Sequence, residues 1–172
     1  DQLTGDTRVE LSVEDVQFNV VGDIPPVSQA NGTVAFAEGV TTVSLSEGTV
    51  FLPSGLSARA TDGVLTIPQA DPETGLIRAL LDMGIAGEAK AVGGLITFDP
   101  IGAQQFYEFS PTDLSGEVDG RVNVEFSLNG ENGAEPDWEV DLQVSNAGSA
   151  AKIEGRQLDS LVGRIEVDPR RA

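Results

Sequence analysis

The stretch at residues 114–128, LSGEVDGRVNVEFSL, constrains the fold more than any other. Leu114, Gly116, Val118, Gly120, Val122, Val124, Phe126 and Leu128 share one parity. Ser115, Glu117, Asp119, Arg121, Asn123, Glu125 and Ser127 share the other, and none of these is apolar. A period of two marks a strand with one wet face and one dry face. At about 3.3 Å per residue the run would reach roughly 50 Å. The usual strand has about six residues, so a bend is expected, and Gly116 and Gly120 would permit it. The dry face needs a cover, because each large side chain left in water forgoes about 1.5–3 kcal/mol.

Shorter runs of the same kind fill most of the chain. Val9, Leu11 and Val13 alternate, and Val16, Phe18 and Val20 continue one residue out of step. An extra residue near Glu14 and Asp15 would restore the facing, as a β-bulge does. The prolines at 25 and 26 then break the ladder. Val34 with Phe36, Val43 with Leu45, and Val50 with Leu52 give further short strands, with Glu38-Gly39 and Glu47-Gly48 read as turns. Asp62-Gly63 between apolar runs predicts a hairpin. Residues 77–85 have helix-forming letters but alternate, and Gly84 and Gly87 favour a strand. Residues 88–96 read as a helix with Ala89, Val92 and Ile96 on one face. Asp99 and Pro100 predict a second short helix carrying Phe106, Tyr107 and Phe109. Trp138, Val140, Leu142 and Val144 form another strand, followed by runs at 151–153 and 161–167.

The expected class is therefore mainly β, with roughly nine or ten strands and one or two short helices around residues 88–109. Short turns make sequential strands antiparallel neighbours. A second sheet would give a sandwich, closure a barrel, and strong curling a gutter that the helices could plug at one end.

Reactive groups are scarce. The chain has no histidine and no cysteine, which removes the commonest general base, thiolate nucleophiles, disulfides and Cys or His metal sites. No G-x-S-x-G elbow and no phosphate-binding glycine loop is present. Its 28 acidic and 10 basic residues give a formal charge of −18, which repels nucleic acid and anionic lipid surfaces. With so many carboxylates, Glu117 with Asp119 reads as a solvated face rather than an acid/base pair. Asp71 with Glu73 and Glu131 with Glu135 lack EF-hand spacing. Trp138 reads as a core anchor, and Lys90 and Lys152 have no chemistry beside them. No catalytic residue, metal or cofactor is expected. No run of 18 apolar residues occurs, and the two ends look like cuts in a longer polypeptide.

NGTVAF, EGTVFL, DGVLTI, DGRVNV and VGRIEV are five versions of one unit, a glycine followed by alternating apolar residues. Together with ARATDGVLTIP, DLSGEVDGRVNVEFSLNG and GRQLDSLVGRIEVDP, in that order around a helical insert carrying DP, the chain resembles the AsmA-like superfamily of bacterial envelope proteins. The likeness is to the central region of YhdP-type members and spans roughly residues 15–168. It implies a non-enzymatic segment of a long periplasmic protein anchored in the inner membrane, with an elongated, taco-like β-groove. It also implies phospholipid movement between inner and outer membranes and a role in outer-membrane integrity. The whole chain, 1–172, is then one groove segment with a helical insert at about 87–109. Its neighbours would be other segments of the same polypeptide, and its ligand a phospholipid or another apolar molecule.

Candidate groove-wall residues are Val34, Phe36, Val43, Leu45, Val118, Val122, Val124, Phe126, Leu128, Val140 and Leu142, with Phe106, Tyr107 and Phe109 as plug or gate. The rival readings are a β-sandwich binding or adhesion module, and a structural spacer whose lining is satisfied by its own helices.

Overall fold

The computed structural model describes residues 8–19, 22–99, 101–105, 108–128, 137–153 and 156–168, the side chains of 151–153 and 156–158 excepted. Eight strands form one antiparallel sheet in strict sequence order. They are β1 (Val9–Phe18), β2 (Val27–Ala37), β3 (Val40–Phe51), β4 (Ser57–Ile67), β5 (Arg78–Glu88), β6 (Leu114–Ser127), β7 (Asp137–Ile153) and β8 (Arg156–Val167). Between β5 and β6 lie one helix, α1 (Ala89–Leu95), and two 3₁₀ turns, Ala103–Gln105 and Pro111–Asp113. Within the described residues β1 pairs only with β2 and β8 only with β7, so the sheet is open.

The sheet curls around its own apolar face. A single buried cluster joins Val27 of β2 to Val167 of β8 through Ala91, Val92 and Leu95 of α1. Since the described strands form one sheet, the cover is curvature plus helix and not a second sheet.

Bulges reset the parity along the strands. Asp15, Gln29, Asp62, Asn146 and Ser160 have positive φ, between 47° and 55°. Each falls at a shift in strand register. The Asp15 bulge is the one expected from the out-of-step alternation of β1. Its amide N donates to Asn31 Oδ1 at 3.0 Å, fixing the extra residue to the next strand.

Three sequence expectations change. Asp62-Gly63 is a bulge inside β4 and not a hairpin, because β3 and β5 both run past it. Glu47-Gly48 lies inside β3, where a Cβ on Gly48 would sit 2.5 Å from Val27 Cγ1. Glycine is there for close packing and not for a turn. With the run at 151–153, which continues β7 to Ile153, these mergers leave eight strands among the described residues where nine or ten were expected. Third, the Asp99-Pro100 signal starts no described α-helix; the next helical turn is the 3₁₀ turn at Ala103, and Pro100 lies outside the described residues. The expected strand at 77–85 is β5, and the expected helix at 88–96 is α1.

The long strand bends where the alternation allowed it. Gly116 has φ 103°, opposite the bulge of β7 at Asn146. Only glycine suits this position, since a Cβ would lie 2.6 Å from the Asn146 carbonyl oxygen.

Candidate functional site: the concave apolar face

The strand register assembles the predicted wall residues into rows. Leu11, Val34, Val43, Leu65, Leu81, Val124 and Trp138 pair in turn from β1 to β7. The next row carries Leu45, Val122, Val140 and Val167 on β3, β6, β7 and β8. Predicted positions on four separate strands therefore do share one face.

Exposure varies steeply along the first row. Leu11 is 54% exposed, Val34 and Val43 are half-buried, and Val124 is 2% exposed. The cause is α1, which packs on β4, β5 and β6. Val118, Val122, Val124, Val140, Leu142 and Leu45 lie in the buried core. Phe126 is half-buried, Leu128 is exposed, and Phe36 is 44% exposed beside Val9 at the open end.

Local sequence gives α1 little stability of its own. It has seven residues, includes Gly93-Gly94, and its N-cap Glu88 makes no side-chain capping bond. Packing has to supply the rest, as it does for most short helices. Five of its residues are buried. The chain after it is tied down by hydrogen bonds: Ala103 N donates to Ile96 O at 2.9 Å, and Asp23 N to Asp99 O at 3.0 Å. The second of these joins the β1–β2 loop to the plug. Beneath α1 the fit is close, leaving about 40 Å³ lined by residues such as Met83, Ile85, Val92 and Val124.

Beside α1 the fit is looser. A crevice of about 300 Å³ opens between the plug and β6–β8. Val92 and Phe109 line one side, and Val144, Ala147, Gly148 and Ile165 the other. Phe109 is the one member of the predicted aromatic gate among the described residues; Phe106 and Tyr107 lie outside them. The sequence did not reveal Ala147, Gly148 and Ile165 as site residues. Their proximity to the plug follows from the β7–β8 register after the Asn146 bulge.

Charge gathers on the opposite face. Arg164 grips Asp141 through two hydrogen bonds of 2.7 and 2.6 Å, Arg78 meets Glu125 at 2.9 Å, and Arg121 pairs with Asp82. The Arg164 hydrogen bond holds the Asp141 carboxyl below its ordinary 3.8, and the same bond raises Arg164. A hydrogen bond to Asp82 likewise raises Arg121. Glu117 and Asp119 border an outer depression with Arg59 and Glu88. Asp71 Oδ1 accepts from Glu73 N, Thr74 N and Thr74 Oγ1, which lowers its pKa and closes a turn. Glu131 and Glu135 lie outside the described residues. Among the described residues no three acidic side chains are placed to hold a metal, and no helix is long and apolar enough to cross a membrane.

The concave face thus offers apolar contact and exclusion of water, with the charges kept on its back. In comparisons with known proteins, no family model, curated protein or solved structure matched the chain.

Proposed function

We propose that the chain is one segment of a periplasmic, AsmA-like envelope protein whose concave face shields phospholipid acyl chains in transit between inner and outer membranes. The observation that carries the proposal is the apolar row from Leu11 to Trp138, sealed under α1 but open at β1 and β2. Acyl chains would lie against Leu11, Val34 and Phe36, with head groups left in water, since the acidic back gives an anionic head no favourable seat. The work asked of the protein is desolvation and not bond making, so no catalytic group is assigned. Eight strands about 4.8 Å apart span roughly 35 Å, too little to bridge an envelope. Neighbouring segments of the polypeptide would extend the sheet from the edges of β1 and β8, which pair with no further strand among the described residues.

A second reading, the structural spacer, draws on the close fit beneath α1, where only about 40 Å³ stays empty. Photocrosslinking separates the two. A photoreactive residue at Leu11 or Phe36, in the protein expressed in a bacterial envelope, should capture phospholipid. The same group at Asp119 on the back should not. Lipid adducts absent from both concave positions would leave the spacer standing.

A further inference from the structure

The crevice beside α1 differs from the open wall in shape and in what can fill it. Its volume, about 300 Å³, lies at the lower end of the range for small-molecule sites. Nearly every lining residue is apolar; Ser115 and Glu166 are the exceptions. Small residues (Ala89, Gly93, Ala103, Ala147 and Gly148) make the room. The tight packing beneath α1 separates this space from the wall of β1 and β2. Ile165, 45% exposed on the edge strand β8, connects the lining to solvent.

We infer that the crevice is an end-on receptacle for the terminal part of one unbranched aliphatic chain, entered at the β8 edge. The inference rests on the apolar-ligand reading of the concave face and places a dwell site within it. A methylene takes up about as much space as a water molecule, roughly 30 Å³, so the crevice holds about ten carbons of a single chain. The head group remains outside, near Glu166. Among the described residues no cation lines the crevice, and its one charged lining residue is Glu166, so an anionic head meets no counter-charge there. An uncharged or zwitterionic head is therefore favoured over a carboxylate. A chain held in this way stops at α1 and does not slide past it.

Two measurements on the purified chain test this. The first uses a lysophosphatidylethanolamine with a diazirine at the end of its acyl chain, below its micelle-forming concentration. Irradiation should place adducts on Val144, Ala147, Gly148 or Phe109, and palmitate carrying the same group should label them more weakly. Adducts confined to Val9, Leu11, Val34 or Phe36 would overturn the crevice assignment and leave the proposed function intact. No adduct on either region would overturn both.

The second is a series of unlabelled lysophospholipids competing with that probe. Affinity should tighten about fourfold per added carbon up to a chain of about ten, then level off. Unbroken tightening to sixteen carbons would indicate an open channel and refute an end-on site. Ala147→Leu, which fills the crevice from within, should abolish crevice labelling and leave labelling of Leu11 unchanged. Because the adduct map is read on the unaltered chain, a variant that failed to fold would not shield the inference.

Discussion

Replacing Val92 by alanine tests whether α1 is an integral part of the core or a loose ornament on the sheet. Val92 is 1% exposed and stands over Met83, Ile85, Val122 and Val124. Val92→Ala removes two methyl carbons, forfeiting about 1.6 kcal/mol of burial at about 0.8 kcal/mol each. The vacated space, roughly 50 Å³, adds about 1.2 kcal/mol at about 24 cal/mol per Å³. It would enlarge the gap of about 40 Å³ already under the helix, so relaxation around it is limited. Alanine's better helix propensity returns about 0.5 kcal/mol. The expected loss is about 2 kcal/mol. Urea unfolding followed by Trp138 fluorescence reads it directly, since Trp138 is the one tryptophan and is itself buried. Val162→Ala is the control, at a position 80% exposed on β8, and should change stability by less than about 0.5 kcal/mol. If Val92→Ala costs no more than the control, α1 is not seated on the sheet and the account of the plugged groove fails.

Other perturbations probe the sheet and its charged back. Gly116→Ala puts a Cβ 2.6 Å from the Asn146 carbonyl at φ 103°, and should cost at least about 2 kcal/mol in the same urea assay. A neutral result would contradict the bend in β6. Asp62→Val forces a β-branched side chain into a bulge at φ 47° and should cost about 1–2 kcal/mol, whereas Asp62→Gly should be tolerated; equal effects would argue against the bulge. The Asp141 carboxyl is held below 3.8 by Arg164, so its ion pair stabilises the fold above that pH and is lost as pH falls through the lowered value. Asp141→Asn should therefore be less stable than the parent near neutrality and converge with it in strong acid, by thermal melts across pH. A constant gap at every pH would refute that assignment.

How much of this was legible in the sequence depended on whether the signal was local. Parity marked Val34, Val43, Val124 and Val140 as the apolar side of their own strands, because a strand's alternation is set residue by residue, and the register then brought those sides together. The out-of-step run from Val13 to Val16 likewise announced the Asp15 bulge. Asp62-Gly63 misled for a physical reason. A residue that tolerates positive φ serves a turn or a bulge equally well, and the choice lies with β3 and β5 on either side. Depth along the face was not legible either. Val124 and Leu11 belong to the same row, and the difference between 2% and 54% exposure depends on where α1 lands. The crevice was the least readable feature. Ala147 and Gly148 are small residues without chemistry, brought to Phe109 by a register shift that no local pattern encodes.

The central claim is that an aliphatic ligand meets the concave face and not the back. Intermolecular NOEs between a methyl-labelled chain and dihexanoyl phosphatidylcholine, below its micelle-forming concentration, test it most directly. Val64 and Leu80 are exposed apolar residues on the back of β4 and β5 and serve as internal controls. The account predicts NOEs from the acyl protons to methyls of Leu142, Val144 and Ile165, and to Leu11 and Val34, with none to Val64 or Leu80. NOEs of equal strength to Val64 and Leu80, or none to the concave methyls, would contradict it.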